Sequence, residues 1–226
     1  MRRFFALALL LAPAFAGAQQ APETLFNLVT LQAQAEREVP NDLLSATLAA
    51  EAEGTDPAQL SADVNRTMQA ALATAKAYGA VRARSGNYQT FPIYDKNRIT
   101  RWRVRQELRL ESADFAAATE LIGKLQANLV VASMALSVSP AARKQAENAL
   151  IPEALAAFEE RARVVREAMK ARSHRMQNLQ INASGGVTPM PYAAMRAGVS
   201  ASAQAPAIEA GTTRILITVS GTVQLQ

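Results

Sequence analysis

Arginine is the residue type that could do chemistry here by number and spacing. Arg101, Arg103, Arg105 and Arg109 occupy odd positions of one stretch, and Glu107 and Glu111 complete the series. Side chains along a strand point alternately to opposite faces. These guanidinium groups therefore share one face, and Trp102, Val104, Leu108 and Leu110 take the other. Arg82 and Arg84 share a parity in the preceding stretch, and register decides whether they face the same way. A guanidinium fork binds carboxylate or phosphate through two parallel hydrogen bonds. The six arginines are thus a candidate surface for an acidic or phosphate-bearing partner. The competing reading is a solvated sheet face balanced by Glu107 and Glu111. Base stacking needs an aromatic on the same face, and Trp102 has the opposite parity, so no nucleic-acid partner is expected.

Other chemistry finds little support. His174 is the one histidine, set between arginines just past a helical stretch, where a solvated imidazole is the expectation. A metal site needs several converging ligands, and none stands near it at ligand spacing. A serine–histidine–aspartate triad assembles in space and stays open, but no Gly-x-Ser-x-Gly elbow supports one. Glu51 and Glu53 could form an acid pair, but the exposed end of the second strand is the better account of them. Ser184-Gly185-Gly186 follows a strand pattern without a phosphate-binding fingerprint. Cysteine is absent, which removes disulfides, thiolate nucleophiles and thiol-ligated metals. The residues thus name no catalytic group, cofactor or metal.

The elements that must position the arginines are legible in the pattern. Half of the 226 residues are hydrophobic, enough for a real core, and the net charge is a mild +5. Arg2 and Arg3, the apolar run Phe4 to Phe15 and Ala16-Gly17-Ala18 have the form of an export signal cleaved near Ala18. The apolar run is too short to span a bilayer as a helix. The expected organisation is a signal peptide over 1–18 and a single domain over 19–226, with no transmembrane segment after cleavage. Leu25 to Val39 reads as a strand, Pro40-Asn41-Asp42 as a turn and Leu43 to Glu53 as a second strand, together a hairpin. Asp56-Pro57 opens a helix carrying Leu60, Val64, Met68 and Ala71, and Gly79 closes it in a left-handed conformation.

Val81 to Glu111 then reads as two long strands joined by a turn. Ser112 caps a second helix with Phe115, Ala118, Leu121, Ile122 and Leu125 on its buried stripe, and Leu129 to Val138 is a strand. From Leu43 to Val138 the order is strand, helix, strand, strand, helix, strand. That is the split β-α-β, or ferredoxin-like, order of an α+β fold: an antiparallel sheet with helices on one face and the arginine face open. A long helix follows from Ser139-Pro140, with a break expected near Leu150 because of Pro152. Its stripe runs through Ala154, Phe158, Ala162, Val165 and Met169. Met176 to Ala183 reads as a further strand. Residues 184–211 have the composition of a flexible loop. Thr212 to Gln226 alternates cleanly as a last strand.

Several short pieces are similar to the SIMPL-domain family of exported bacterial proteins, which includes the YggE-like stress-associated periplasmic proteins. They are Val39-Pro40-Asn41-Asp42, Gln89-Thr90 followed by Pro92-Ile93-Tyr94, Ala127-Asn128, the Ala/Arg-rich stretch Ala154 to Ala171, and Pro206-Ala207-Ile208-Glu209-Ala210-Gly211. The family usually carries Gly-x-Gly where this chain has Gln32-Ala33-Gln34-Ala35, and Gln126 also replaces a family glycine. The resemblance implies a periplasmic, non-enzymatic binding or scaffold protein, homo-oligomeric and linked to envelope or oxidative stress. It implies no catalytic residues and no cofactor. A periplasmic hydrolase with an unrecognised site and an oligomeric channel-like envelope assembly are the alternatives.

Overall fold

The computed structural model describes residues 26–184 and 209–226. The expected export signal and most of the expected loop lie outside the described residues. Ten elements follow in order: β1 (Leu28–Pro40), β2 (Leu43–Gly54), α1 (Pro57–Lys76), β3 (Arg82–Asp95), β4 (Arg98–Ser112), α2 (Phe115–Leu125), β5 (Val130–Ser137), α3 (Pro140–Ala168), β6 (His174–Ser184) and β7 (Thr212–Leu225).

The strands form two antiparallel sheets. One has the order β3-β4-β2-β5, which is the split β-α-β arrangement expected for Leu43 to Val138. Its buried face carries Leu44, Leu48, Val104, Leu108 and Leu110. Leu60, Val64 and Met68 of α1 and Leu121 and Ile122 of α2 close over it. The second sheet has the order β1-β7-β6. Its core joins Ile215, Ile217, Val219 and Val223 of β7 to Leu150, Ala154, Phe158 and Ala162 of α3. The alternation of β7 leaves Thr218, Ser220 and Thr222 on the other face, beside Gln34, Gln32 and Thr30 of β1.

The β1–β2 hairpin expected from Pro40-Asn41-Asp42 does not form. β1 pairs with β7 along its whole length, from Leu28 opposite Gln224 to Pro40 opposite Thr212. The three residues instead join the two sheets. Asn41 donates from its side-chain amide to the Ala210 carbonyl at 2.8 Å and accepts from the Thr213 hydroxyl at 2.6 Å. The Asp42 carboxylate accepts from the Ser139 N–H at 2.5 Å and from the Ser139 hydroxyl at 2.8 Å. Burial works to raise the Asp42 pKa, but the Ser139 hydrogen bonds outweigh it and hold the group below its ordinary value. The β2–β5 unit is therefore inserted between β1 and α3, and both crossings meet at this junction.

Local expectations are corrected at five further places. α1 ends at Lys76 with Ala77 still in the right-handed region, and Gly79 has no positive φ. Asp114, not Ser112, caps α2, accepting from the Ala117 N–H at 3.0 Å. Ser112 is buried and donates to the Ala80 carbonyl at 2.8 Å, so it is already engaged. α3 runs unbroken through Pro152, because Leu150 and Ala154 on either side are buried against the sheet. Met169 lies beyond the end of α3 and is 66% exposed. Trp102 is only partly buried: it sits opposite Gly54 at the end of β2 and packs against the first core.

Candidate functional site

The open face of the four-stranded sheet collects all six predicted arginines. Register places Arg82 opposite Glu111 and Arg84 opposite Arg109, so the β3 arginines share the β4 arginine face. A bulge between Ser85 and Tyr88 then shifts parity, and Gln89, Phe91 and Ile93 stand opposite Arg105, Arg103 and Arg101. Gly86 lies in that bulge. A Cβ there would fall 2.8 Å from Glu107 Cβ, which explains why no side chain stands at the position.

The two ends of this face differ from its middle. Glu51 and Glu53 of β2 lie opposite Arg105 and Arg103. Arg103 Nε is 3.1 Å from Glu51 and 2.6 Å from Glu53, and Arg105 reaches Glu51 at 3.7 Å. Arg109 reaches Glu107 at 3.5 Å. The middle is thus an ion-pair network, and the carboxylates read as a possible acid pair are the counter-ions of the arginines. Arg82, Arg84 and Arg101 make no ion pair among the described residues. Arg84 faces Arg109 directly, an arrangement that like charges disfavour. Positive charge is therefore in surplus at the Arg82–Arg84 end and, separately, at Arg101. Glu51 and Glu53 were legible as strand residues, but their role depends on the β2–β4 register, which no local pattern fixes.

Beside the network a shallow depression of about 500 Å³ is lined by Ala49, Glu51, Glu53, Arg105, Val130 and Ala132. Between α1 and α2 a groove of about 260 Å³ is lined by Arg66, Thr67, Thr74, Lys124 and Asn128 among others. Its Lys124 already pairs with Glu120 at 2.9 Å, and hydrogen bonding to Tyr78 and then Glu120 raises the ammonium pKa.

His174 is not the solvated imidazole expected. β6 starts at His174 and runs back along α3, so Nε2 meets Glu159 Oε1 at 2.8 Å and the side chain is 12% exposed. Its Nδ1 is buried with no hydrogen-bond partner among the described residues, so none of their serines engages it as a triad would require. Among the described residues no three His, Cys, Asp or Glu side chains converge as a metal site would require.

Two antiparallel sheets, each covered by helix on one face, the larger in split β-α-β order with its arginine face open, define an α+β protein with an inserted ferredoxin-like unit. The chain belongs to the SIMPL family, described as a protein of unknown function (DUF541), whose model matches residues 29–223. The match runs from the start of β1 to near the end of β7, so it takes in both sheets and the insertion. No curated protein matches the chain.

Proposed function

We propose that this protein is an exported, periplasmic, non-enzymatic binding or scaffold protein of the bacterial envelope, acting in the response to envelope or oxidative stress as a homo-oligomer. Family membership and the export-signal pattern of residues 1–18 support the compartment. The observation that carries the binding reading is the open sheet face, where Arg82 and Arg84 make no ion pair among the described residues and Arg84 stands opposite Arg109. A solvated face needs no unpaired guanidinium group set opposite another, as Arg84 is opposite Arg109. An acidic or phosphate-bearing partner relieves that repulsion and accepts several charge-assisted hydrogen bonds at once. Arg103 and Arg105 serve the sheet itself, since each is already committed to Glu51.

The test is affinity capture from envelope extracts with the wild-type protein and with the Arg82→Glu/Arg84→Glu variant. The variant is expected to lose the acidic species that the wild type retains, and added salt should release them from the wild type. An identical retained set for both proteins would refute the assignment of this surface.

A further inference from the structure

The β3–β4 hairpin outruns its own sheet. The last residue of β4 with a partner in β2 is Trp102, opposite Gly54. Arg98 to Arg101 and the β3 residues paired with them continue as a two-stranded ribbon, for about 13 Å at 3.3 Å per residue. Lys96 and Asn97 close it in a two-residue turn, both with positive φ (44° and 65°), the conformation of a tight hairpin tip. The ribbon is a convex finger, not the wall of a pocket.

Its composition is unusual for a solvated tip. Tyr94 and Ile99 are direct cross-strand partners, 62% and 46% exposed, so together they make an apolar patch on one face. Phe91, further down, is 43% exposed. Lys96, Arg98 and Arg101 lie in the same ribbon, with Asp95, opposite Arg98, as its one acidic residue, and none of the three cations makes an ion pair among the described residues. A two-stranded ribbon gains nothing by itself from showing an aromatic and a branched aliphatic side chain to water.

We propose that this finger docks on an anionic phospholipid surface, with Tyr94 and Ile99 entering the headgroup–acyl boundary and Lys96, Arg98 and Arg101 meeting lipid phosphates. Three features argue for lipid. The patch is convex and a bilayer is a continuous surface, so no concave partner is needed. Tyrosine flanked by Lys and Arg suits the interface, where the ring is buried and its hydroxyl stays wet. The charge on the finger is opposite to that of the surface. Among the described residues no helix is long and apolar enough to cross a membrane. The finger lies at the far end of the hairpin from Arg82 and Arg84, about 40 Å away along the strands. This inference is therefore independent of the arginine-face reading.

The test is co-sedimentation of the full chain with vesicles of phosphatidylglycerol and phosphatidylethanolamine, and with vesicles of phosphatidylcholine alone. The wild type should bind the first and not the second. Lys96→Glu/Arg98→Glu should weaken binding by about fivefold or more per charge. Tyr94→Ser/Ile99→Ser should abolish the part of the binding that survives high salt. Arg82→Glu/Arg84→Glu should bind vesicles as well as the wild type does. Circular dichroism should be unchanged in the finger variants, whose side chains lie outside both cores. The proposal is overturned if the wild type ignores the anionic vesicles. It is equally overturned if both finger variants bind them at wild-type strength, or if finger substitutions remove only a protein partner captured from lipid-free extract.

Discussion

Replacing Gly221 with alanine should destabilise the protein, and the same replacement at Gly79 should stabilise it. A Cβ at Gly221 would sit 2.5 Å from the Asn178 carbonyl oxygen, 3.2 Å from Phe158 Cζ and 3.3 Å from Leu179 Cδ1. The closest of these is backbone in β6, beside the bulge between Met176 and Asn178 that brings the strand in. Gly221 has no positive φ, so the cost is steric and not conformational. Overpacking of this kind costs about 1–3 kcal/mol. The gain from a stiffer unfolded chain returns about 0.4–1 kcal/mol. The net expectation is a loss of about 1–2 kcal/mol, or roughly 2–8 °C in Tm for a chain of this size. At Gly79 a Cβ meets nothing within 4 Å and φ is again not positive, so only the gain remains. Urea unfolding followed by circular dichroism reads both. Phe158→Leu should not rescue Gly221→Ala, because the nearest obstacle is a carbonyl and not the ring. Equal stability of Gly221→Ala and wild type would show that β6 steps aside freely, and the steric argument would fail. A destabilised Gly79→Ala would refute the reading of the α1 terminus.

Phe158→Ala should cost about 3–5 kcal/mol, since the ring is fully buried at the centre of the second core; chemical denaturation measures it. Arg84→Ala should be neutral or slightly stabilising because it removes a like-charge pair with Arg109, whereas Arg103→Ala should cost up to about 1 kcal/mol by freeing Glu51 and Glu53, and salt should narrow the gap between the two melts. Asp42→Asn should lower Tm at neutral pH. The folded Asp42 pKa lies below its ordinary 3.8, so its contribution is complete above the unfolded value and fades as pH falls through the folded one. The deficit of the variant should therefore shrink on acidification below about pH 4, and a deficit independent of pH would refute the charge-based account.

The ferredoxin-like unit was legible because its two helices carry their own periodicity, and because β4 splits so sharply into Trp102, Val104 and Leu108 against the arginines. The arginine face followed from that split. What escaped was everything set by distant partners. Pro40-Asn41-Asp42 has the residues of a turn, but Asn41 and Asp42 spend their side chains on Ala210, Thr213 and Ser139, which no local window contains. Ser112 and Asp114 can both cap a helix, and the demand of the Ala80 carbonyl decides between them. Pro152 breaks a free helix, but here flanking side chains anchor both halves of α3 to the sheet. His174 looked solvated because Glu159 lies more than two helical turns away in sequence and becomes its neighbour only when β6 doubles back.

The insertion of β2–β5 between β1 and α3 also dictates an order of assembly. Of the described strands, synthesis delivers β1 first and β7 last, and each residue of β1 must wait for β7 before it has a strand partner. The β2–β5 unit holds every strand of its own sheet once Ser137 has emerged, several seconds earlier at about 5–20 residues per second. Until β7 arrives, β1 is an unpaired edge, the kind of segment that invites pairing with another chain. β7 is also the central strand of its sheet. A chain interrupted before Thr212 would not merely be shorter: it would leave β1 and β6 with no common neighbour and α3 without the β7 part of the core it covers, while the inserted unit stood complete.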